Sequence, residues 1–380
     1  MECLERPFWN SETDYTWESL LSLKINKPDE EIRRKVLANW DRVAKPLNGM
    51  GRFEDLTAQI GAVLRTEKID IAKKAVIIMC ADNGIVAEGV SQSGQEVTLA
   101  VVKNMANKQS SVGRMAETVG ADTIPVDIGI NCQEQIPGVL DKKIRCGTRS
   151  FHVEPAMTRE ETLKAIFTGI GLVLDCKEKG YGILATGEMG IGNTTTSSAV
   201  AAALLECDAE DVTGRGAGLS DEGLICKRRV ITEALTRYHL REVEVFRRGE
   251  GDEDARMRAL HVLETVGGLD IAGLVGVCMG GALFRLPIVL DGVISMVAAL
   301  LAERMLPGTR DYFIPSHKGK EPAAEKIAKE LKLHPVIDGE MALGEGTGAV
   351  MMFALLDLAL AVYQEGASFS DIRVEQYRRY

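Results

Sequence analysis

From residue 74 onward one pattern recurs along the chain: a short apolar run, a turn rich in glycine or acid, then a helical segment. The runs are Ala75–Cys80, ending in Ala81-Asp82-Asn83-Gly84, and Thr123–Val126, ending in Asp127-Ile128-Gly129. Gly182–Ala185 ends in a loop around Glu188, Ile288–Leu290 in Asp291-Gly292, and Tyr312–Ile314 in Pro315-Ser316-His317. Apolar runs bounded by turn signals and separated by helices read as buried parallel strands joined by crossovers. Ligands bind such sheets outside the carboxyl ends of the strands. Every polar turn named above falls at that edge. The expected fold is therefore α/β: three layers, a Rossmann-like parallel sheet flanked by helices, with an enzyme-type site along one edge.

Residues 11–48 carry amphipathic helices, with Leu20, Leu21 and Leu23 in the first and Ile32, Val36 and Leu37 at helical spacing in the second, before Pro46 stops the pattern. Near the other end, Gly344-Glu345-Gly346-Thr347-Gly348 opens an apolar helix reaching about Tyr363. At 380 residues and 46% hydrophobic, the chain can bury a large core. A net charge of −10 argues against a general nucleic-acid binder, though it leaves room for a local basic pocket. The eight cysteines (3, 80, 132, 146, 176, 207, 226, 278) form no CxxC pair and the five histidines lack ligand spacing. No zinc site is expected, and reduced thiols in a cytoplasmic enzyme fit better. The segment with Glu2, Glu5 and Trp9 lacks the basic and apolar regions of a leader peptide. Asp357 interrupts 349–363, and Arg285, Pro287 and Asp291 interrupt 271–301, so no membrane span is read. The charged run Arg241–Arg258 reads as a solvated helix and loop.

Three glycine-rich segments can carry chemistry. The first, Gly187-Glu188-Met189-Gly190-Ile191-Gly192-Asn193-Thr194-Thr195-Thr196, follows a strand and opens a helix. Glycines let main-chain amides approach an anion, and a helix N-terminus adds partial positive charge. The threonines can cap the helix or donate to a ligand. Neither a Walker loop nor a dinucleotide fingerprint is present. The second segment, Thr213-Gly214-Arg215-Gly216-Ala217-Gly218, precedes Lys227 and suits either a phosphate cradle or a plain positive-φ turn. In the third, glycines flank Glu345, which can serve as a helix cap or, desolvated by a ligand, as a general base. Ser316-His317 has no nucleophile elbow beside it. Asp82-Asn83-Gly84 is an ordinary turn before it is a metal site, and metal catalysis is not expected.

At these segments the sequence resembles the nicotinate-nucleotide:dimethylbenzimidazole phosphoribosyltransferases. The likeness is carried by Glu188-Met189-Gly190-Ile191-Gly192-Asn193-Thr194-Thr195, Gly214-Arg215-Gly216-Ala217-Gly218-Leu219 and Leu343-Gly344-Glu345-Gly346-Thr347-Gly348-Ala349. Shorter matches are Cys80–Gly84, Glu88-Gly89-Val90, Ile136–Val139, Leu290-Asp291-Gly292 and Ile314–His317, in order from about Lys45 to Tyr363. The resemblance implies a large α/β domain (61–342) and a small helical domain from both chain ends (1–60 and 343–380), as a homodimer. It implies transfer of phosphoribosyl from nicotinate mononucleotide to an aromatic base for the lower ligand of cobamides, with nicotinate released and no cofactor or metal.

On the matching positions, the resemblance makes Glu345 the general base and Glu188 its acidic partner. Phosphate and nucleotide contacts fall on Gly190, Gly192, Asn193, Thr194, Arg215, Gly216, Ala217, Lys227 and Ser316. The acceptor pocket falls on Asp82, Asn83, Ser93, Val101, Met189 and Leu343. Departures cluster near the acceptor: Asn83 stands where many relatives have histidine, Ala342 where many have arginine, and Val101 where a glutamine lines the pocket. They point to a specialised or more apolar acceptor pocket. Two other readings stand beside this one. A dinucleotide oxidoreductase lacks its glycine fingerprint. A subunit of a two-chain transferase for phenolic acceptors, paired with a paralogue, has both glutamates present against its being inactive.

Overall fold

The computed structural model describes residues 14–241 and 252–379. The sequence expectations for Glu2, Cys3, Glu5, Trp9 and much of the 241–258 run lie outside those residues. Among the described residues six strands, β1 (Lys74–Ala81), β2 (Ala121–Gly129), β3 (Leu140–Asp141), β4 (Ile183–Met189), β5 (Ile288–Leu290) and β6 (Phe313–Pro315), form one sheet. All neighbours pair in parallel, in the order β3-β2-β1-β4-β5-β6. The order reverses between β1 and β4, and such a switch point opens a crevice at the carboxyl edge. Five strands coincide with the predicted runs. The sixth, β3, has only two residues, both exposed, and so carries no apolar signal.

Strand β1 shows why two helical layers follow. Its residues are all buried, so both faces need cover. Ala75, Ile77, Met79 and Ala81 enter a core shared with helices Arg159–Glu178, Leu269–Phe284 and Val293–Met305. Val76, Ile78 and Cys80 enter a second core with helices Glu30–Arg42, Arg52–Leu64 and Thr347–Glu365. In the first layer, a Cβ on Gly276 would lie 1.9 Å from the Ile166 carbonyl oxygen, so glycine sets the spacing of those two helices.

The segments around Val43 and Ser368 meet. Val43 and Ser368 form an antiparallel bridge, the Ala44 N–H donates to the Ala367 carbonyl at 2.8 Å, and Trp40 packs on Tyr363 with ring centroids 5.3 Å apart. They also share their core with one sheet face, and residue 60 lies inside the helix Arg52–Leu64. By length and composition the 19-residue helix Thr347–Glu365, of mean hydropathy 1.6, resembles a membrane span, yet half of it is buried. Phe353, Leu356 and Leu360 face the second core, and Lys74 of β1 hydrogen-bonds Asp357.

Candidate active site

Glu188, next to last in β4, is 7% exposed at the carboxyl edge. The Asn193 amide donates to its carboxylate, as does the main-chain N–H of Glu345. Burial, reinforced by Asp270 and Asp291, raises the Glu188 carboxyl to about 8, so it carries a proton near neutrality. Asp270 lies in the first turn of helix Leu269–Phe284 and accepts from Asn83 Nδ2 at 3.5 Å. Burial lifts this carboxyl to about 6, against hydrogen bonds from Ile271, Asn193 and Asn83. Asn193 thus links two buried acids.

Asp291, just past β5, accepts main-chain N–H groups from Gly346 at 3.0 Å, Gly348 at 2.8 Å and Ala349 at 3.2 Å. It therefore caps the helix that Glu345 could otherwise have capped. Freed of that duty, Glu345 turns its carboxylate to the Val112 N–H at 3.2 Å, in the first turn of helix Ser111–Thr118. Its backbone is left-handed (φ +66°), a conformation uncommon outside glycine. Burial raises its carboxyl above the usual range. A Cβ on Gly344 would stand 2.2 Å from Glu188 Oε1, so glycine there lets this loop lie directly on Glu188.

Across the cavity, the Gly214–Gly216 loop rests over Lys227, whose ammonium donates to Thr194 Oγ1 at 2.9 Å and the Gly214 carbonyl at 3.2 Å. Burial lowers the Lys227 ammonium to about 8. Glu321 accepts from the Gly214 and Gly216 amides at 3.1 and 2.9 Å. The first turn of helix Val293–Met305 borders the same space. Among the described residues it has no side-chain cap, and Ser295 Oγ is buried there without a hydrogen-bond partner.

These elements border an open cavity of about 290 Å³. Of the residues expected at the site, Glu188, Glu345, Met189, Gly190, Asn193, Thr194, Gly216, Ala217, Val101 and Leu343 line it. Lys227 lies beneath Thr194, one hydrogen bond back. Arg215 does not face inward: its guanidinium holds the Leu219 carbonyl at 2.8 Å and pairs with Asp221. Ser316 Oγ donates to the Leu290 carbonyl at 2.6 Å and touches His317 Nδ1 at 3.0 Å. Gly192 backs onto Asn83 and Val86. Asp82 accepts the Asn131 N–H at 2.8 Å, and Ser93 accompanies Ser91 in the loop before Val101. Asn83, Asp82 and Ser93 thus stand behind or beside the wall instead of in it. Sequence reasoning assigned no role to Asp291, although it marked that turn, and it passed over Asp270, Ser295 and Glu321. An acid one residue into the apolar stretch 269–284 was the available signal for Asp270.

Residues 25–374 match the model of a phosphoribosyltransferase family. The nicotinate-nucleotide–dimethylbenzimidazole phosphoribosyltransferase of Ruminiclostridium cellulolyticum is 40% identical over 363 residues, covering 96% of this chain and 99% of that protein. The chain belongs to this family. A second member so named, from Acetivibrio thermocellus, is 40% identical over 352 residues, covering 93% of this chain and 95% of that protein. The crystal structure of CobT from Thermus thermophilus superposes with a TM-score of 0.83 at 34% identity, covering 91% of this chain and all of that one. The family places the chain among the pentosyl-transferring glycosyltransferases.

Proposed function

We propose that this chain transfers phosphoribosyl from nicotinate mononucleotide to an aromatic lower-ligand base, giving an α-ribazole 5′-phosphate-type product and nicotinate for cobamide biosynthesis. One observation carries the reading. Two glutamates with raised pKa values and a glycine loop over a buried lysine border a single cavity. The cavity thus has an acid-base end and an anion end.

The donor already carries a pyridinium leaving group. The acceptor nitrogen attacks C1′ from the opposite face, and the C–N bond to nicotinate breaks with its electron pair going to the pyridine nitrogen. The attacking ring would become cationic, and Glu345 takes its N–H proton. Desolvation raises the basicity of that carboxylate, and so fits it to the task. Below pH 8 Glu188 is neutral, and it presents a carboxyl proton to the reacting end without adding charge beside the anionic donor. The phosphate is held at the Thr194, Gly216 and Lys227 side, where main-chain N–H groups and an ammonium converge. Holding both substrates in line supplies about 7–11 kcal/mol of the barrier reduction in favourable cases.

Val101, Met189, Met341 and Leu343 wall the acid-base end, which favours a specialised or comparatively apolar acceptor. The test is purified protein with nicotinate mononucleotide and competing bases, with products resolved by mass. Nicotinate should appear only when an acceptor is present. A clear preference for dimethylbenzimidazole itself would defeat the specialised-pocket reading while leaving the reaction class intact. Activity appearing only with a related second chain and a phenol would favour the two-chain alternative.

A further inference from the structure

The Gly214–Gly216 loop is shaped to grip an anion, and it grips one from its own chain. Gly214 N–H donates to Glu321 Oε2 at 3.1 Å and Gly216 N–H to Oε1 at 2.9 Å. Two parallel bonds to a carboxylate are the arrangement a phosphate would also use. A Cβ on Gly214 would lie 2.3 Å from Glu321 Oε2, so the seat fits this carboxylate closely. Lys227 lies below, and the negative charge of Glu321 helps it keep its proton despite burial. Glu321 is the N-cap residue of helix Pro322–Glu330 but gives that helix no side-chain cap. Its carboxylate is committed across the loop, at the wall of the cavity.

We propose that Glu321 is an internal competitor for the donor's phosphate: its carboxylate holds the anion seat, and donor binding includes its withdrawal. This rests on the reading of the chain as a nicotinate mononucleotide enzyme. A phosphate outbids the carboxylate because it brings a second charge and a third oxygen within reach of Thr194 and Lys227. A monoanion brings neither, so the seat discriminates phosphate esters from carboxylates. Once displaced, Glu321 has a second place to go, the uncapped N–H groups and positive dipole end of its own helix.

The experiment is calorimetric titration of the full chain with inorganic phosphate, comparing the parent with Glu321→Ala. The variant should bind phosphate at least about tenfold more tightly. Acetate, standing in for the lost carboxylate, should return the affinity toward the parental value. KM for nicotinate mononucleotide should fall in parallel while kcat stays within about twofold. Phosphate binding that is unchanged or weaker in the folded variant would make Glu321 a brace for the loop and overturn the proposal. Should Glu321→Ala not fold, parent crystals soaked in phosphate decide. Phosphate on the Gly214 and Gly216 amides with Glu321 swung away supports the competitor, and phosphate elsewhere with Glu321 in place overturns it. If phosphate binding tightens yet nicotinate mononucleotide is never turned over, the donor reading fails and the competitor stands.

Discussion

Glu345 holds a left-handed backbone conformation that costs a side-chain-bearing residue roughly 1–2 kcal/mol. The fold absorbs this because Asp291 pins the following residues through three main-chain bonds. Glu345→Gln keeps an acceptor for the Val112 N–H and should fold normally, but it cannot take a proton at neutral pH. We expect kcat to fall by about 10²–10⁴-fold with KM for the donor little changed, measured by nicotinate release. Parental turnover in that variant would remove Glu345 from the mechanism. Glu188 makes a different prediction, because its folded pKa, about 8, lies above the ordinary value of 4.5. Between those values the folded state keeps a proton that the unfolded state has lost, so stability declines as pH rises through this window. Glu188→Gln removes that linkage. The variant should gain on the parent by up to a few kcal/mol between pH 5 and 8, read from denaturant midpoints at each pH. A constant difference across the window would show that Glu188 titrates normally. In activity, donor affinity of the parent should weaken above pH 8, where Glu188 gains a negative charge and Lys227, also about 8, loses its positive one.

At the level of elements, the helices Arg159–Glu178 and Leu269–Phe284 are pressed together at glycines. A Cβ on Gly169 would stand 2.1 Å from the Gly273 carbonyl oxygen, and one on Gly276 1.9 Å from that of Ile166. Backbone atoms cannot swing aside, so Gly276→Ala should destabilise by about 1–3 kcal/mol despite alanine's better helix propensity. A thermal midpoint equal to the parent's would mean that the helices can part without cost. This packing also shows what sequence could and could not convey. The strands were legible because β1, β2, β4 and β5 each end an apolar run at a glycine or acidic turn and β6 ends one at Pro315-Ser316-His317, and such an ending is a local property. Glu188 and Glu345 were legible for the same reason, each standing between glycines. The Asp270–Asn83 contact joins residues 187 apart and the Glu321–Gly216 bond residues 105 apart. Nothing near Glu321 in sequence marks it as facing a glycine loop. Arg215 shows the converse case: a cation beside glycines suggested a phosphate ligand, and the structure pairs it with Asp221, six residues on.

At the scale of the whole molecule, the helix Thr347–Glu365 is apolar on more faces than its own sheet covers. Met352, Phe353, Leu356 and Leu360 point into the core, while Met351 is 42% and Leu358 65% exposed. Leu355 and Val362 are only partly buried, and the four residues 351, 355, 358 and 362 follow helical spacing along one side. A helix apolar on more than one face is usually covered on each of them, and here the sheet and the helices Arg52–Leu64 and Ser111–Thr118 cover one side only. We propose that a second copy of the chain covers the other, as the homodimer that the family resemblance implies. Light scattering should then give the parent about twice the 41.3 kDa chain mass. Leu358→Glu should halve it without changing the circular dichroism spectrum. The helix begins two residues after Glu345, so the stripe and the site share one rigid support. Dissociation should therefore lower kcat more than it weakens donor binding at the distant Gly216 end. A parent that is monomeric at every concentration, with full activity, would leave this apolar face unexplained by self-association.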